Sequence, residues 1–256
     1  MKEFRYSEVF ADLIQRWEEL LASGPLPVIR QVDLPGEGPL VVLHQTAKRE
    51  GAPRVLLSAG IHGDEPAGPE CLYHKMKQGL LSTEVEWVVV PFLNPGGLRK
   101  GTRENPRGLD LNREFLRDQT VEIAFYKETV PSLGPYDLML SLHEDWEFKG
   151  SYLYEINTGT RPSMAQGILD LLAAETGLAE AEVIDEHRPI LPGLIVHDPI
   201  ADEPENWPEA IFMIHQQPLL SYTLETPSQA PLEKRVRCMA GVIDYCAERL
   251  SRERGR

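Results

Sequence analysis

Apolar residues recur along the chain with two different spacings, and these predict an alternation of helices and strands. Helical spacing covers an N-terminal segment, from Val9 to Leu21, that ends at Gly24 and Pro25. It returns in four later segments: 66–78, 119–130, 162–176 and 231–252. Alternating or continuous apolar runs predict seven strands: 27–33, 39–46, 54–59, 85–93, 137–142, 151–156 and 219–225.

Strands that alternate with helices are typical of a sheet covered by helices on both faces. The sequence therefore predicts an α/β fold, a three-layer α/β/α sandwich with a mixed, mostly parallel twisted sheet. No composition shift marks a boundary, so residues 1–256 are expected to form a single catalytic domain. Segments 95–118 and 186–218 lack clear periodicity, and long loops of this kind are usually functional or mobile.

Composition narrows the class of protein without naming a substrate. There are 26 basic and 40 acidic side chains, giving a formal net charge of −14 at pH 7. This balance argues against nucleic-acid binding, which needs clustered Lys and Arg. No apolar run approaches a membrane span, and the charged N-terminus is no signal peptide. Three cysteines without a C-x-x-C pair suit buried thiols in a reducing compartment, so a cytoplasmic protein is expected.

Candidate metal ligands lie where two predicted strands end. His62 and Glu65 form an H-x-x-E pair on the turn after 54–59, and His143 ends the apolar run YDLMLSLH. Imidazole and carboxylate groups are ligands that zinc accepts, and strand exits in α/β sheets are the usual place for ligands. Such a pair also arises by chance, and Glu65 could merely cap the helix that begins near Pro66.

Two further features favour a hydrolytic site. Glu225 ends a third apolar strand and could be a general base, although a solvated or capping role is also possible. The loop from 94 to 115 concentrates arginines in an otherwise acidic protein: Arg99, Arg103, Arg107 and Arg113. A charged run is usually a solvated face, but arginines beside a metal suit an anionic substrate.

The order of these motifs resembles the M14 zinc metallocarboxypeptidases, and beyond them the succinylglutamate desuccinylase and aspartoacylase enzymes. The matching elements are H-x-x-E, K-G-T-R, G-x-D-L-N-R, S-L-H and T-L-E, over roughly 55–115, 136–147 and 219–229. The likeness is closest to the bacterial branch that acts on small peptides or cell-wall peptides.

The resemblance implies a role for each matching residue. His62, Glu65 and His143 would bind one zinc ion, and Glu225 would act as general base and then protonate the leaving amine. Arg103 would stabilise the oxyanion. Asn112 and Arg113 would bind the terminal carboxylate of the substrate, although Arg113 could instead pair with Asp110 and only stiffen the turn.

One part of the chain departs from the family pattern. These carboxypeptidases carry a substrate-closing tyrosine about twenty residues before the catalytic glutamate, but 198–210 contains none, and its only aromatic residue is Trp207. Tyr222 is expected in the core. His187, His197 and His215 could line a pocket, although surface or capping roles are favoured.

The sequence is therefore compatible with three functions. The first is a zinc carboxypeptidase acting on a small peptide with a free carboxylate, and the second is a zinc deacylase of N-acyl amino acids. The third is a catalytically silent binding protein, which the complete set of site residues disfavours. Only 31 residues follow Glu225, and Leu232 to Leu250 reads as one helix, so no separate β domain is expected there and the carboxypeptidase is preferred.

Overall fold

The computed structural model describes residues 6–24, 26–117, 119–198 and 205–253. Pro25 and residues 199–204, which belong to the predicted helix stop and the second long loop, lie outside the described residues. The described strands are β1 (Val28–Leu34), β2 (Gly38–Gln45), β3 (Arg54–Ala59), β4 (Glu86–Val90), β5 (Leu138–Asp145), β6 (Tyr152–Asn157), β7 (Leu194–Val196) and β8 (Leu220–Pro227). The helices are α1 (Tyr6–Ala22), α2 (Ala67–Gln78), α3 (Pro95–Lys100), α4 (Val121–Thr129), α5 (Ala165–Glu175), α6 (Glu209–Gln216) and α7 (Leu232–Glu253).

The strands form one sheet in the order β1-β2-β4-β3-β5-β8-β6-β7. Pairings are parallel for β4–β3, β3–β5, β5–β8 and β6–β7, and antiparallel for the others. The predicted mixed, mostly parallel sheet is therefore confirmed. Because β3, β5 and β8 are adjacent and parallel, their carboxyl ends meet at one edge of the sheet.

Alternate residues of each strand are buried on opposite faces, as the pleat requires. Leu57 and Leu140 pack on one face with α1, α2, α5 and α7. Leu56 and Met139 pack on the other face with α4 and α6. The three layers predicted from the sequence are thus present, and Tyr222 is fully buried as expected.

Four elements lie in segments that were predicted to be irregular. Segment 95–118 contains α3 and a 3-10 turn at Leu111–Arg113, and segment 186–218 contains β7 and α6. The prediction of unbroken loops was wrong there. Five successive residues of α6, from Glu209 to Met213, are buried, so buried and exposed positions do not alternate with a helical period in this short helix.

Two remaining predictions concern cysteines and membranes. Cys71, Cys238 and Cys246 are free thiols in buried positions, as expected. None of the helices in the described ranges is both long enough and apolar enough to cross a bilayer.

Candidate active site

The turn after β3 brings His62 and Glu65 together. Gly60 has a left-handed backbone (φ +58°), and a Cβ at Gly63 would lie 2.0 Å from the carbonyl carbon of Gly97. Glycine is therefore required for the close approach of this turn to α3. His62 Nδ1 lies 2.6 Å from Glu65 Oε1, and both side chains are buried.

His143, near the end of β5, completes a three-residue cluster. Its Nδ1 lies 3.0 Å from Glu65 Oε2, and its ring centroid is 5.0 Å from that of His62. One ligand atom from each of the three residues lies within 4.8 Å of the others. Two imidazoles and one carboxylate with donor atoms this close together fit a zinc-type ion and leave a coordination position for water.

The electrostatics of the cluster also suit a cation. Burial by itself would raise the pKa of Glu65, but the adjacent His62 and His143 rings lower it to about 2. Burial would lower the pKa of His62, but Glu65 and Asp110 raise it to about 9. The metal-free cluster therefore holds an ionised Glu65 carboxylate beside a protonated His62 ring, and Glu65 also raises the pKa of His143 against the effect of burial. A metal ion would compete with these protons for the ligand atoms.

Glu225 lies beside this cluster. In the parallel pairing of β5 with β8 it stands opposite His143, and its side chain is partly exposed. Desolvation raises the pKa of Glu225 to about 8, and the negative charges of Glu65 and Asp145 add to the effect although His143 opposes it. A carboxyl group with a raised pKa in a cleft is well suited to exchange protons near neutral pH.

Asp110 connects the arginine-rich loop to the cluster, a role that the sequence did not predict. Its Oδ1 lies 3.2 Å from His62 Nε2, and its Oδ2 accepts a hydrogen bond from Arg103 Nε at 3.1 Å. A carboxylate on the outer nitrogen of a metal-binding histidine fixes the orientation of the ring. The only sequence signal was the Asp110 position within the G-x-D-L-N-R element.

Arg103 reaches the edge of the cluster. Its Nη1 lies 3.7 Å from Glu65 Oε1, and 40% of its side-chain surface is exposed. The guanidinium is held on one side by Asp110 and faces solvent on the other. It can therefore donate hydrogen bonds to a bound oxygen atom without moving far.

Asn112 and Arg113 lie in the same loop but differ in their exposure and in their hydrogen bonds. The side-chain oxygen of Asn112 accepts the backbone N–H of Glu209 at 2.9 Å, so its amide NH2 group remains to bind a ligand. Arg113 is exposed and donates to the carbonyl oxygen of Asn112 at 3.0 Å. Within the described ranges it forms no ion pair, and Asp110 pairs with Arg103 instead.

Glu209 fixes α6 beneath the cluster. Its Oε2 accepts the hydroxyls of Ser58 on β3 and Ser141 on β5, at 2.8 and 2.9 Å. Ser141 lies two residues before His143 on the same face of the sheet. Glu209 was not predicted, because these contacts join residues from three distant parts of the sequence.

A buried ion pair supports the turn that carries His62 and Glu65. Glu144 Oε1 accepts the N–H of Ala67 at 2.6 Å, and Glu144 Oε2 pairs with Arg235 of α7. The backbone N–H of Glu144 donates to Glu65 Oε2 at 3.2 Å. The pair therefore connects α7 to the two segments that carry Glu65 and His143.

Replacing Arg235 by methionine should destabilise the protein by about 3–5 kcal/mol, because Glu144 would be left as a buried charge without its cation. Urea unfolding of the metal-free protein measures the effect. The matched control is Arg252→Met, which removes an exposed pair with Glu248 and should cost under about 1 kcal/mol. Equal costs for the two variants would mean that the pair with Glu144 contributes little.

The comparisons with known proteins agree with this geometry. Residues 51–161 match the family model "Succinylglutamate desuccinylase/Aspartoacylase catalytic domain". A crystal structure named as a metallopeptidase from Shewanella amazonensis SB2B superposes with a TM-score of 0.77 at 26% identity, covering 94% of this chain and 92% of that one. The chain is therefore similar to the succinylglutamate desuccinylase/aspartoacylase catalytic domain over residues 51–161, and to a metallopeptidase structure over most of its length.

Two further similarities are more distant. Carboxypeptidase E of Caenorhabditis elegans is 31% identical over 145 residues, which is 47% of this chain and 28% of that protein. The chain therefore spans less than a third of the length of this curated relative. A Pseudomonas aeruginosa metallo-carboxypeptidase, solved with (2-guanidinoethylmercapto)succinic acid, shares the fold at 20% identity, with a TM-score of 0.63 and coverage of 91% and 66%.

Proposed function

We propose that this protein is a zinc-dependent carboxypeptidase that cleaves the C-terminal amide bond of a small peptide, with Glu225 as general base. The observation that carries the proposal is the pairing of Glu225 with His143 across β5 and β8, beside three converging metal donors. A base next to a metal site is the arrangement that metal-assisted amide hydrolysis requires.

A bound zinc ion would supply a Lewis acid and an acidified water molecule. The donor set of two imidazoles and one carboxylate favours zinc, as in the family that the motifs resemble. His62, Glu65 and His143 would hold one such ion, and Asp110 would keep the His62 ring in its ligating orientation.

Each remaining side chain performs one task in the reaction. Glu225 accepts a proton from the attacking water and then delivers it to the nitrogen of the leaving amino acid. Arg103 donates hydrogen bonds to the carbonyl oxygen as negative charge develops on it. Because Asp110 already orients its guanidinium, little rearrangement is needed during the reaction.

Arg113 and Asn112 would bind the substrate carboxylate. The Arg113 guanidinium forms no ion pair within the described ranges and can offer two parallel N–H groups, which carboxylates accept in a planar geometry. The Asn112 amide adds a further donor, since only its oxygen is used by Glu209. The ligand of the Pseudomonas structure, (2-guanidinoethylmercapto)succinic acid, carries carboxylates and is in keeping with a carboxylate-bearing substrate.

A zinc-dependent deacylase of N-acyl amino acids is the second candidate. It is favoured by the family model, which covers six of the seven assigned residues: His62, Glu65, Arg103, Asn112, Arg113 and His143. Incubation with N-acetyl and N-succinyl amino acids beside a peptide library separates the two activities. Cleavage confined to the N-acyl amino acids would replace the carboxypeptidase by the deacylase.

Amidating the C-terminus of a cleaved peptide should lower kcat/KM by about 10- to 100-fold, because the bond to Arg113 is charge-assisted. Arg113→Lys should lose much of this discrimination, since an ammonium group cannot reproduce the planar fork. Steady-state kinetics on the free acid and the amide measure both effects.

Arg107→Lys is the matched control for Arg113→Lys. Arg107 is exposed in the same loop and donates to the backbone oxygen of Gln119, so its replacement should leave the ratio between free acid and amide unchanged. Equal hydrolysis of the free acid and the amide by the unmodified enzyme would remove Arg113 from the site.

A further inference from the structure

Five rings form a continuous row on the β6 side of the site. We call this row, made of Phe148, Tyr152, Tyr154, His187 and His197, the aromatic wall. Successive ring centroids are 5.7, 5.7, 6.0 and 5.6 Å apart, and each pair is packed edge to face. Tyr154, His187 and His197 are partly exposed, so the wall presents a ring surface to solvent.

The sheet register places the wall next to the general base. In the antiparallel pairing of β6 with β8, Tyr152 stands opposite Glu225, and Tyr154 stands opposite Thr223. Directly opposed residues project from the same face of a sheet, so both tyrosines share the face of Glu225. Burial, together with the nearby charge of Glu225, raises the pKa of both tyrosine hydroxyls above the usual range.

A strained turn holds the outer part of the wall. Asp185 and Glu186 both have left-handed backbones, with φ of 47° and 65°, between the bridged residues Ile184 and His187. Two successive residues of this kind form a tight hairpin turn that non-glycine residues adopt only with strain. The Tyr154 hydroxyl donates to Asp185 at 3.0 Å, which fixes the turn against β6.

The loop that carries Asn112 and Arg113 contacts the metal cluster from the β3 side, and the aromatic wall meets Glu225 from the β6 side. Asn112 and Arg113 follow Asp110, which contacts His62 at the end of β3, whereas the wall lies on β6 and beyond. In the sheet order, β5 and β8 with His143 and Glu225 stand between them. A substrate with its terminal carboxylate at Arg113 and its scissile bond at the cluster would have its acyl part on the β8–β6 side.

The chemistry of the wall favours an uncharged acyl part. Two carboxylates of the described residues contact it: Asp145 accepts the hydroxyl of Tyr152, and Asp185 accepts that of Tyr154. Ring faces bind apolar and aromatic groups, and the two carboxylates would repel a negatively charged group.

We propose that the aromatic wall is the subsite for the acyl side of the scissile bond, and that it selects a large apolar residue over a carboxylate-bearing one. The inference rests on the proposed amide hydrolysis and adds the substrate class. It also predicts that acyl groups such as succinyl are poor substrates.

The test uses three peptides that differ only on the acyl side: N-acetyl-Phe-Leu, N-acetyl-Ala-Leu and N-acetyl-Asp-Leu. We expect kcat/KM for the Phe peptide to exceed that for the Ala peptide by at least about tenfold, or 1.4 kcal/mol, and the Asp peptide to be poorest. Tyr154→Ala should abolish the preference, and Tyr154→Phe, which keeps the ring, should retain it.

Two additional variants control for general damage. His187→Ala removes a ring of the wall from a loop without altering the sheet, and it should reduce the preference for the Phe peptide. Tyr245→Ala removes a partly buried ring on α7, far from the wall, and the preference should remain. A purely structural Tyr154 would lower kcat/KM equally for all three peptides, and this result would overturn the proposal.

Binding of the acyl products tests the subsite without turnover. Calorimetry with the zinc-loaded protein should show N-acetylphenylalanine binding at least about tenfold more tightly than N-acetylalanine, and Tyr154→Ala should remove the difference. Selective, Tyr154-dependent binding without cleavage of any peptide would reject the proposed reaction and keep the subsite. Equal cleavage of the three peptides and equal binding of the two acyl products would reject the subsite and keep the reaction.

Discussion

Replacing Glu225 by glutamine should lower kcat by about 10²- to 10⁴-fold, the usual contribution of general acid–base catalysis. Glutamine keeps the size and the hydrogen-bonding capacity of the side chain but cannot accept the proton of the attacking water. Glu225 is not among the three metal donors, so the metal content should not change. Steady-state kinetics and elemental analysis of the same preparation measure both quantities.

Glu155→Gln is the matched control for this variant. Glu155 is a buried carboxylate on the adjacent strand β6, and it accepts the hydroxyls of Tyr222 and Ser163 away from the metal cluster. Its replacement tests the general effect of removing a buried charge from this sheet. It should leave kcat within a few-fold of the value for the unmodified enzyme. Near-normal turnover in Glu225→Gln would mean that another group activates the water.

His143→Ala should remove most of the bound metal, because two donors, His62 and Glu65, cannot hold a zinc-type ion against a competing chelator. Activity should fall with the metal content, by at least as much as in Glu225→Gln. Elemental analysis after dialysis against a weak chelator gives the occupancy, and far-UV circular dichroism shows whether the fold is retained.

His44→Ala controls for the loss of a histidine in general. His44 is partly buried on β2 and contacts Glu86, at the opposite side of the sheet from β6. This variant should bind metal like the unmodified protein. Full metal occupancy in His143→Ala would rule out His143 as a ligand.

The sequence alone was enough to predict the central strands of the sheet and the turn that follows one of them. Strands β3, β5 and β8 follow from continuous apolar runs, because central parallel strands are buried on both faces. The H-x-x-E turn was also recognisable, since His62 and Glu65 are only three residues apart and depend on local geometry.

Segments whose conformation depends on contacts with distant residues show no apolar spacing from which a helix or strand could be predicted. In α3, Gly96 and Gly97 suggest a loop, yet a Cβ at either would collide with Pro106 or Asn94, so close packing demands glycine inside a helix. Strand β7 has three residues and pairs only with β6 among the described strands. It is too short for an alternation to be read from the sequence.

The sequence by itself determined which residue types could carry the chemistry and that they lie at strand exits. Only the tertiary structure decided their partners: Glu225 opposite His143, Asp110 on His62, Glu209 on the Asn112 oxygen, and Tyr152 opposite Glu225. The physical reason is that a strand pattern fixes the face of a side chain, whereas strand order and register fix its neighbour. These depend on packing between segments that are far apart in the chain.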